Sequence, residues 1–253
     1  MVRIPPLALV AALLLPTAGH GAPATCRGES GDRPALVVEL YTSEGCNSCP
    51  PADQWLERLP LKTRDGRAVV PLGFHVDYWD TLGWRDRFAA ARFDERQSEA
   101  VRRNGGRTAY TPQVFIDGMS HPDWRAEGLP AGGVAAAAPP LTLEAAPAAG
   151  GWSLRASGHL PTGTAGRLWL GVTESDLVTP VKAGENAGTN LRHAHVVRAW
   201  SGPIPLSAGQ AIDTRTTLAV PKDLVEAHSR FVALLEDPSG RPLQAVAIPG
   251  CSR

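Results

Sequence analysis

The stretch from Val37 to Asp53 reads VVELYTSEGCNSCPPAD. A β-branched and aromatic run ends at Tyr41, a polar turn follows, and Cys46 and Cys49, separated by two residues, stand against Pro50 and Pro51. This order predicts a buried strand from Leu36 to Tyr41, a tight turn, and a helix start with a C-x-x-C on its corner. Ala52, Trp55, Leu56 and Leu59 fall at i, i+3, i+4 and i+7, which is one apolar helix face, and Pro60 stops the helix. In a soluble protein such a corner points to thiol and disulfide chemistry.

Downstream, Ala68 to Tyr78 reads as a second strand, interrupted early by Pro71. A strand, a helix and a second strand about 25 residues on form a βαβ unit with parallel, adjacent strands. An aromatic turn follows from Trp79 to Trp84, then a helix from near Asp94, reciprocally capped by Gln97, to Gly105. Thr111-Pro112 precedes a short strand, Gln113 to Ile116, and is a candidate cis peptide. Asp117-Gly118 signals a hairpin. Met119 to Pro140 carries few signals, with the alanines at Ala135 to Ala138 as a helix remnant. Beyond it, Leu141 to Ala145, Trp152 to Ser157, Arg167 to Thr173, Leu191 to Trp200, Thr214 to Val220, Phe231 to Glu236 and Leu243 to Ile248 read as strands of a β-sandwich. The expectation is an α/β domain over residues 34–138 followed by a mostly β, sandwich-like domain over 141–251.

The chain has 253 residues, enough for two modest cores, and its 25 basic and 25 acidic residues cancel. No field of either sign draws it to nucleic acid or an anionic membrane. The expected partners are protein or small-molecule thiols and disulfides, and no cofactor is called for. Arg3, the apolar segment Leu7 to Leu15 and the small residues to Ala24 have the form of a signal peptide, too short to span a bilayer. The expected protein is therefore exported, periplasmic or secreted, with cleavage near Ala24. In an oxidising space cysteines tend to pair. If Cys46 pairs with Cys49, then Cys26 and Cys251 remain at the two ends as a clasp; the alternative is two free terminal thiols.

At a helix start, unpaired amides and the positive dipole end lower a thiol pKa. Cys46 is then the nucleophile, and Cys49, one turn in and less exposed, the resolving thiol. Three other readings stand beside this one: an inert staple, half of a zinc site, and a copper site with Met119 or His121 as third ligand. The last is geometrically awkward, because the strand after Pro112 leads away from the cysteines. Glu39 interrupts an apolar strand, and reads either as a buried proton acceptor for Cys49 or as a residue on a partly wet face. Trp79, Asp80, Trp84 and Arg85 follow the second parallel strand and should reach the same sheet edge as Cys46, as a substrate rim or as buried aromatics. His75 and Asp77 share a strand face as structural hydrogen-bonding groups. His193 and His195, in GENAGTNLRHAHVVRAW, should point the same way; two histidines seldom make a metal site, and a polar loop against the first domain is the favoured reading.

VVELYTSEGCNSCPPAD, FHVDYWDTLGW, YTPQVFIDG and GENAGTNLRHAHVVR together resemble a bacterial family of predicted secreted proteins of unknown function with a thioredoxin-like fold. The order of elements is similar to the thioredoxin superfamily, although Cys-Asn-Ser-Cys is not the thioredoxin dipeptide and the stretch before Cys46 is slightly longer. The resemblance implies a thioredoxin-like first domain, a redox corner of Cys46, Cys49 and cis Pro112, and a β-rich C-terminal half in the same compact protein. It assigns no substrate. The implied activity is thiol–disulfide oxidoreduction; the alternative is a secreted binding protein, copper-carrying or disulfide-stapled.

Overall fold

The apolar run that opens the quoted stretch forms a strand with no exposed residue. The computed structural model describes residues 25–126, 128–130 and 138–251. The leader-like segment 1–24 and most of the alanine run at Ala135 to Ala138 lie outside the described residues. The first half contributes β1 (Cys26–Glu29), β2 (Leu36–Thr42), α1 (Pro50–Glu57), β3 (Val69–His75), α2 (Ala91–Arg103), β4 (Gln113–Ile116) and β5 (Met119–Ser120). The second half is strands apart from one 3-10 turn at Glu226–His228: β6 (Leu141–Ala148), β7 (Gly151–His159), β8 (Gly166–Glu174), β9 (Leu177–Pro180), β10 (Asn190–His193), β11 (Val196–Leu206), β12 (Ala211–Leu218), β13 (Ser229–Glu236) and β14 (Pro242–Pro249).

β2 and β3 pair in parallel from Leu36 opposite Val69 to Thr42 opposite His75, with α1 as the crossover. Successive side chains of β2 go to opposite faces. Leu36, Val38 and Leu40 pack with Ala52 and Leu56 of α1 and with Trp124. Val37 and Tyr41 enter a separate core with Phe74, Phe93 and Phe115. A second pair of layers lies further along the chain, where the sheet β1-β6-β7-β12 covers β8, β13 and β14. There Leu143, Leu154, Leu170, Phe231 and Leu235 are fully buried.

The expectation of an α/β, thioredoxin-like unit followed by a β-sandwich is corrected by the sheet topology. The described chain is mostly β, 43% strand against 12% helix, so a single helical crossover does not set its class. One eight-stranded sheet, in the order β14-β13-β8-β11-β3-β2-β4-β5, runs through both halves. β11 makes this join. Val196 pairs in parallel with Gly73 of β3, while the length of β11 pairs antiparallel with β8. The predicted strand Leu191 to Trp200 is thereby split at Ala194 and His195, and His195 adopts a φ of 57°. Gly171 faces Trp200 across this pairing, and a Cβ on it would sit 2.1 Å from the indole. Such cross-strand contacts are non-local, and local periodicity carries no signal for them.

Helix α2 begins at Ala91 and not near Asp94, and ends at Arg103 with Asn104 as its cap, followed by Gly105 at a φ of 74°. Asp94 and Gln97 are not caps. Asp94 Oδ1 accepts the Asp77 amide at 3.0 Å, and Gln97 Nε2 donates to Tyr110 O and to Gln113 Oε1, each at 2.8 Å. Its buried face carries Arg96, whose Nη2 lies 2.5 Å from both Glu39 Oε1 and Glu236 Oε1. Trp169 Nε1 and Arg167 Nε each donate to Glu236 Oε2 at 2.8 Å. Burial opposes the Arg96 charge, and the two carboxylates still hold its pKa well above the ordinary value. The guanidinium thus ties α2 to β2 and β13. Cys26 and Cys251 form a disulfide with a Cα separation of 5.4 Å, fastening β1 to the second residue after β14.

Two stability outcomes follow from these ties. Arg96→Met keeps the volume but leaves buried Glu39 without its ion-pair partner, and should lower unfolding free energy by about 3–5 kcal/mol; a loss under about 1 kcal/mol in chemical denaturation would contradict the tie. The double variant Cys26→Ser, Cys251→Ser should lose about 2–5 kcal/mol under non-reducing conditions, and an unchanged denaturation midpoint would show that the clasp contributes nothing.

Candidate functional site

After Thr42 the chain leaves β2 in a tight turn held by its own backbone. Cys46 N donates to Ser43 O and Cys49 N to Cys46 O, each at 3.2 Å, while Gly45 N donates to Ser43 Oγ at 3.1 Å. Cys49 then serves as the N-cap of α1, its carbonyl accepting the Ala52 amide at 2.8 Å and the Asp53 amide at 3.1 Å. Pro50 and Pro51 occupy the first turn, where a missing N–H has no intrahelical partner to lose. Cys46 and Cys49 are joined as a disulfide, and the Cys46 sulfur lies 3.3 Å from Ser48 Oγ. The first turn of α1 offers the sulfurs no unpaired amide, since Pro50 and Pro51 have none and those of Ala52 and Asp53 are bound to Cys49 O, which leaves the dipole of the helix to favour a thiolate once the bond is reduced.

Both sulfur-bearing residues are 0% exposed, so Cys46 is not the more exposed partner that the sequence suggests. The cover comes from the segment between β9 and β10. Asn186 donates its side-chain amide to Glu44 O at 2.9 Å and to Cys46 O at 3.0 Å, and Glu185 Oε2 accepts the Asn47 amide at 3.1 Å. Trp79 closes another side, since a Cβ on Gly45 would lie 3.3 Å from the Trp79 Cβ.

Buried ionisable groups surround this corner. Glu44 is fully buried; its amide donates to Asp86 Oδ2 at 2.9 Å and its Oε2 accepts Trp84 Nε1 at 2.8 Å. Glu44 Oε1 lies 3.3 Å from His193 Nε2, within ion-pair range but without the alignment of a hydrogen bond. On the other side of that ring, His193 Nδ1 lies 3.9 Å from Asp53 Oδ2, and neither ring nitrogen has a hydrogen-bond partner. His75 Nδ1 sits 2.6 Å from Asp86 Oδ2. Burial works to lower the His75 pKa, yet the Asp86 charge and hydrogen bond raise it above the ordinary histidine value. Asp86 is held below the usual range: burial pushes it up, but His75 and the amides of Glu44 and Phe88 outweigh that. Burial pushes Asp53 up, against the opposing pull of His193 and His75.

The aromatic loop does reach this edge. Trp79 and Trp84 contact the cysteine turn as described, Asp80 Oδ1 accepts the Asp86 amide at 3.0 Å, and Arg85 is exposed. The Thr111–Pro112 peptide is cis, and Gln113 opposite Tyr41 brings Pro112 to the end of β2 from which the cysteine turn departs. Glu39 is not brought to Cys49. It shares the β2 face of Val37 and Tyr41, against Arg96, whereas α1 packs on the opposite face. Met119 and His121 are carried off on the β4–β5 hairpin, where Ile116 lies opposite Val38 and pairs with Met119 at the far end of β2. His193 and His195 do not point the same way: His193 stacks edge-on to His75 and Phe88, while burial and Arg230 push His195 down to about 4. His75 pairs with Asp86 and not with Asp77, whose carboxyl neighbour Asp94 is pushed up to about 7, first by burial and then by sharing a hydrogen bond with it.

Glu44, Asp53, Asp86 and Asn186 went unread as site residues. A signal for Asp53 was present, because it stands four residues after Cys49 on a helix, which places the two on one face. Glu44 and Asn186 carry no such local mark. Among the described residues, no group of three or more His, Cys, Asp or Glu side chains is disposed to hold a metal ion, and no helix is long and apolar enough to cross a membrane.

No curated protein matches the chain. A protein of Agrobacterium tumefaciens solved by X-ray crystallography is similar in structure, with a TM-score of 0.58 at 22% identity, covering 88% of this chain and 98% of that one. HBP35 of Porphyromonas gingivalis is similar with a TM-score of 0.58 at 15% identity, covering 87% of this chain and 76% of that one. At these identities the likeness is one of fold alone. Residues 37–236, which include the cysteine turn, its covering segment and the buried histidines, match the model described as protein of unknown function (DUF1223), and the chain belongs to that family.

Proposed function

We propose that the Cys46–Cys49 pair is a redox couple, and that the protein is an exported thiol–disulfide oxidoreductase acting on protein or small-molecule thiols and disulfides. The observation that carries this reading is the company the disulfide keeps. A stapling disulfide is best buried in apolar packing, whereas this one has buried Glu44 two residues before it and buried Asp53 one turn on along the helix that Cys49 caps, with His193 between those two carboxyls. Burying ionisable groups without full pairing is costly. Breaking and remaking an S–S bond moves protons as well as electrons, and buried acids and imidazoles of this kind can store them. In this reading Cys46 takes the attack, Cys49 leaves and later resolves, and the covering segment moves aside to admit the partner.

A second reading, a structural staple, is favoured by the complete burial of both cysteines and by the double hydrogen bond from Asn186. Substrate trapping separates the two. Cys49→Ser, expressed with its leader, should accumulate mixed disulfides at Cys46 that a reductant releases, and Cys46→Ser should accumulate none. A trapping variant that carries only free Cys46 would favour the staple. Asn186→Ala removes two hydrogen bonds from the cover, at about 1 kcal/mol each, and should speed alkylation of Cys46 in the reduced protein by about tenfold or more; an unchanged rate would mean that this segment is not the gate.

A further inference from the structure

We infer that Asp53 and His193 form the proton relay of the Cys46–Cys49 pair, with Asp53 exchanging the proton and His193 positioning that carboxyl and balancing its charge. The inference rests on the redox reading above. It also replaces Glu39, which the sheet places on the wrong face, with a carboxyl on the helix that Cys49 caps.

The placement is specific. Asp53 donates its amide to Cys49 O at 3.1 Å, so its side chain lies one helical turn from the sulfur and on the same face. It is only 7% exposed, and its Oδ2 lies 3.9 Å from His193 Nδ1. His193 is 3% exposed and neither of its ring nitrogens is hydrogen-bonded. A buried imidazole with neither nitrogen hydrogen-bonded is costly, and such a group is a candidate for use in the chemistry of the site. The other ionisable groups facing it are Glu44 from the cysteine turn, His75 from β3 and Asp86 from the aromatic loop. Asp86 is already committed to His75, which leaves Asp53 and Glu44 to answer His193. Of these, Glu44 Oε2 is held by Trp84 and its amide by Asp86, while Asp53, with Thr42 as a further neighbour, is the carboxyl that stands on the face of the helix that Cys49 caps. Its raised pKa suits proton exchange.

The balanced step uses a dithiol as reductant. One of its thiols, having lost its proton to solvent, attacks Cys46 Sγ; the Cys46–Cys49 bond breaks and the electron pair leaves on Cys49. The Asp53 carboxyl gives its proton to that thiolate and becomes a carboxylate beside His193. The second dithiol sulfur, also deprotonated to solvent, then attacks the first, releasing Cys46, which takes one proton from solvent. Asp53 recovers the other. The dithiol ends as a disulfide, and the cysteine pair as two thiols.

The test is the rate at which dithiothreitol reduces the folded protein between pH 5 and 9, read by quenched alkylation and normalised to the reagent's thiolate fraction. Asp53→Asn should slow reduction by about tenfold or more and remove the pH inflection that the wild type shows. Asp53→Glu should restore the inflection, and His193→Gln should shift it. If Asp53→Asn keeps the wild-type rate and profile, the relay is overturned while the redox reading stands. If the folded wild type is not reduced by dithiothreitol at all, both are overturned.

Discussion

Glu44 is the residue on which the corner depends. It is fully buried two residues before Cys46, where an acid is costly unless neighbouring elements answer it. The aromatic loop supplies the Trp84 indole, and the β9–β10 segment brings Asn186 to its carbonyl and His193 to its carboxyl. The contacts of one buried acid and its backbone therefore draw two distant segments to the corner. Both sulfurs are covered as a consequence. A disulfide buried this way reacts only as fast as its cover opens, so exchange would be selective for partners able to displace Asn186.

The long sheet explains how residues from position 44 to position 193 meet. β11 starts beside β3 and runs the length of β8, so the end of β10 and the turn at Ala194 and His195 are delivered to the edge from which the cysteine turn departs. On the opposite sheet face, Arg96 bridges Glu39 and Glu236 and so resists relative movement of β2 and β13. The site is built on paired strands and one capped helix, while its cover is a loop between two short strands. That division leaves the cover as the element free to move.

Local features of the fold were legible in the sequence. The strand, turn and helix start at Val37 to Asp53, the parallel pairing of the next strand, and most of the later strands followed from apolar periodicity and from prolines. The fold class did not, because the join between β11 and β3 rests on one pairing between residues more than a hundred positions apart, which no window of sequence displays. The short strands β1 and β9 escaped for a related reason, since Cys26–Glu29 and Leu177–Pro180 acquire their pairing only from distant partners. At the site, the cysteines and the aromatic loop were found because their spacing carries a mechanism. Glu39 misled, since an acid in an apolar strand shows that a partner exists without showing which face holds it. Arg96 supplied that partner from α2, and the carboxyl near Cys49 was the one placed a helical turn after it.

The central claim is that Cys46–Cys49 is a poised couple and not a staple. Equilibrating the folded protein in buffers of graded reduced-to-oxidised glutathione ratio, then alkylating and counting free thiols at Cys46 and Cys49 by mass, measures this directly. The account predicts a full transition from disulfide to dithiol within the accessible glutathione range, with Cys26–Cys251 still closed. A Cys46–Cys49 bond that stays closed at every ratio, opening only when the protein unfolds, would contradict it.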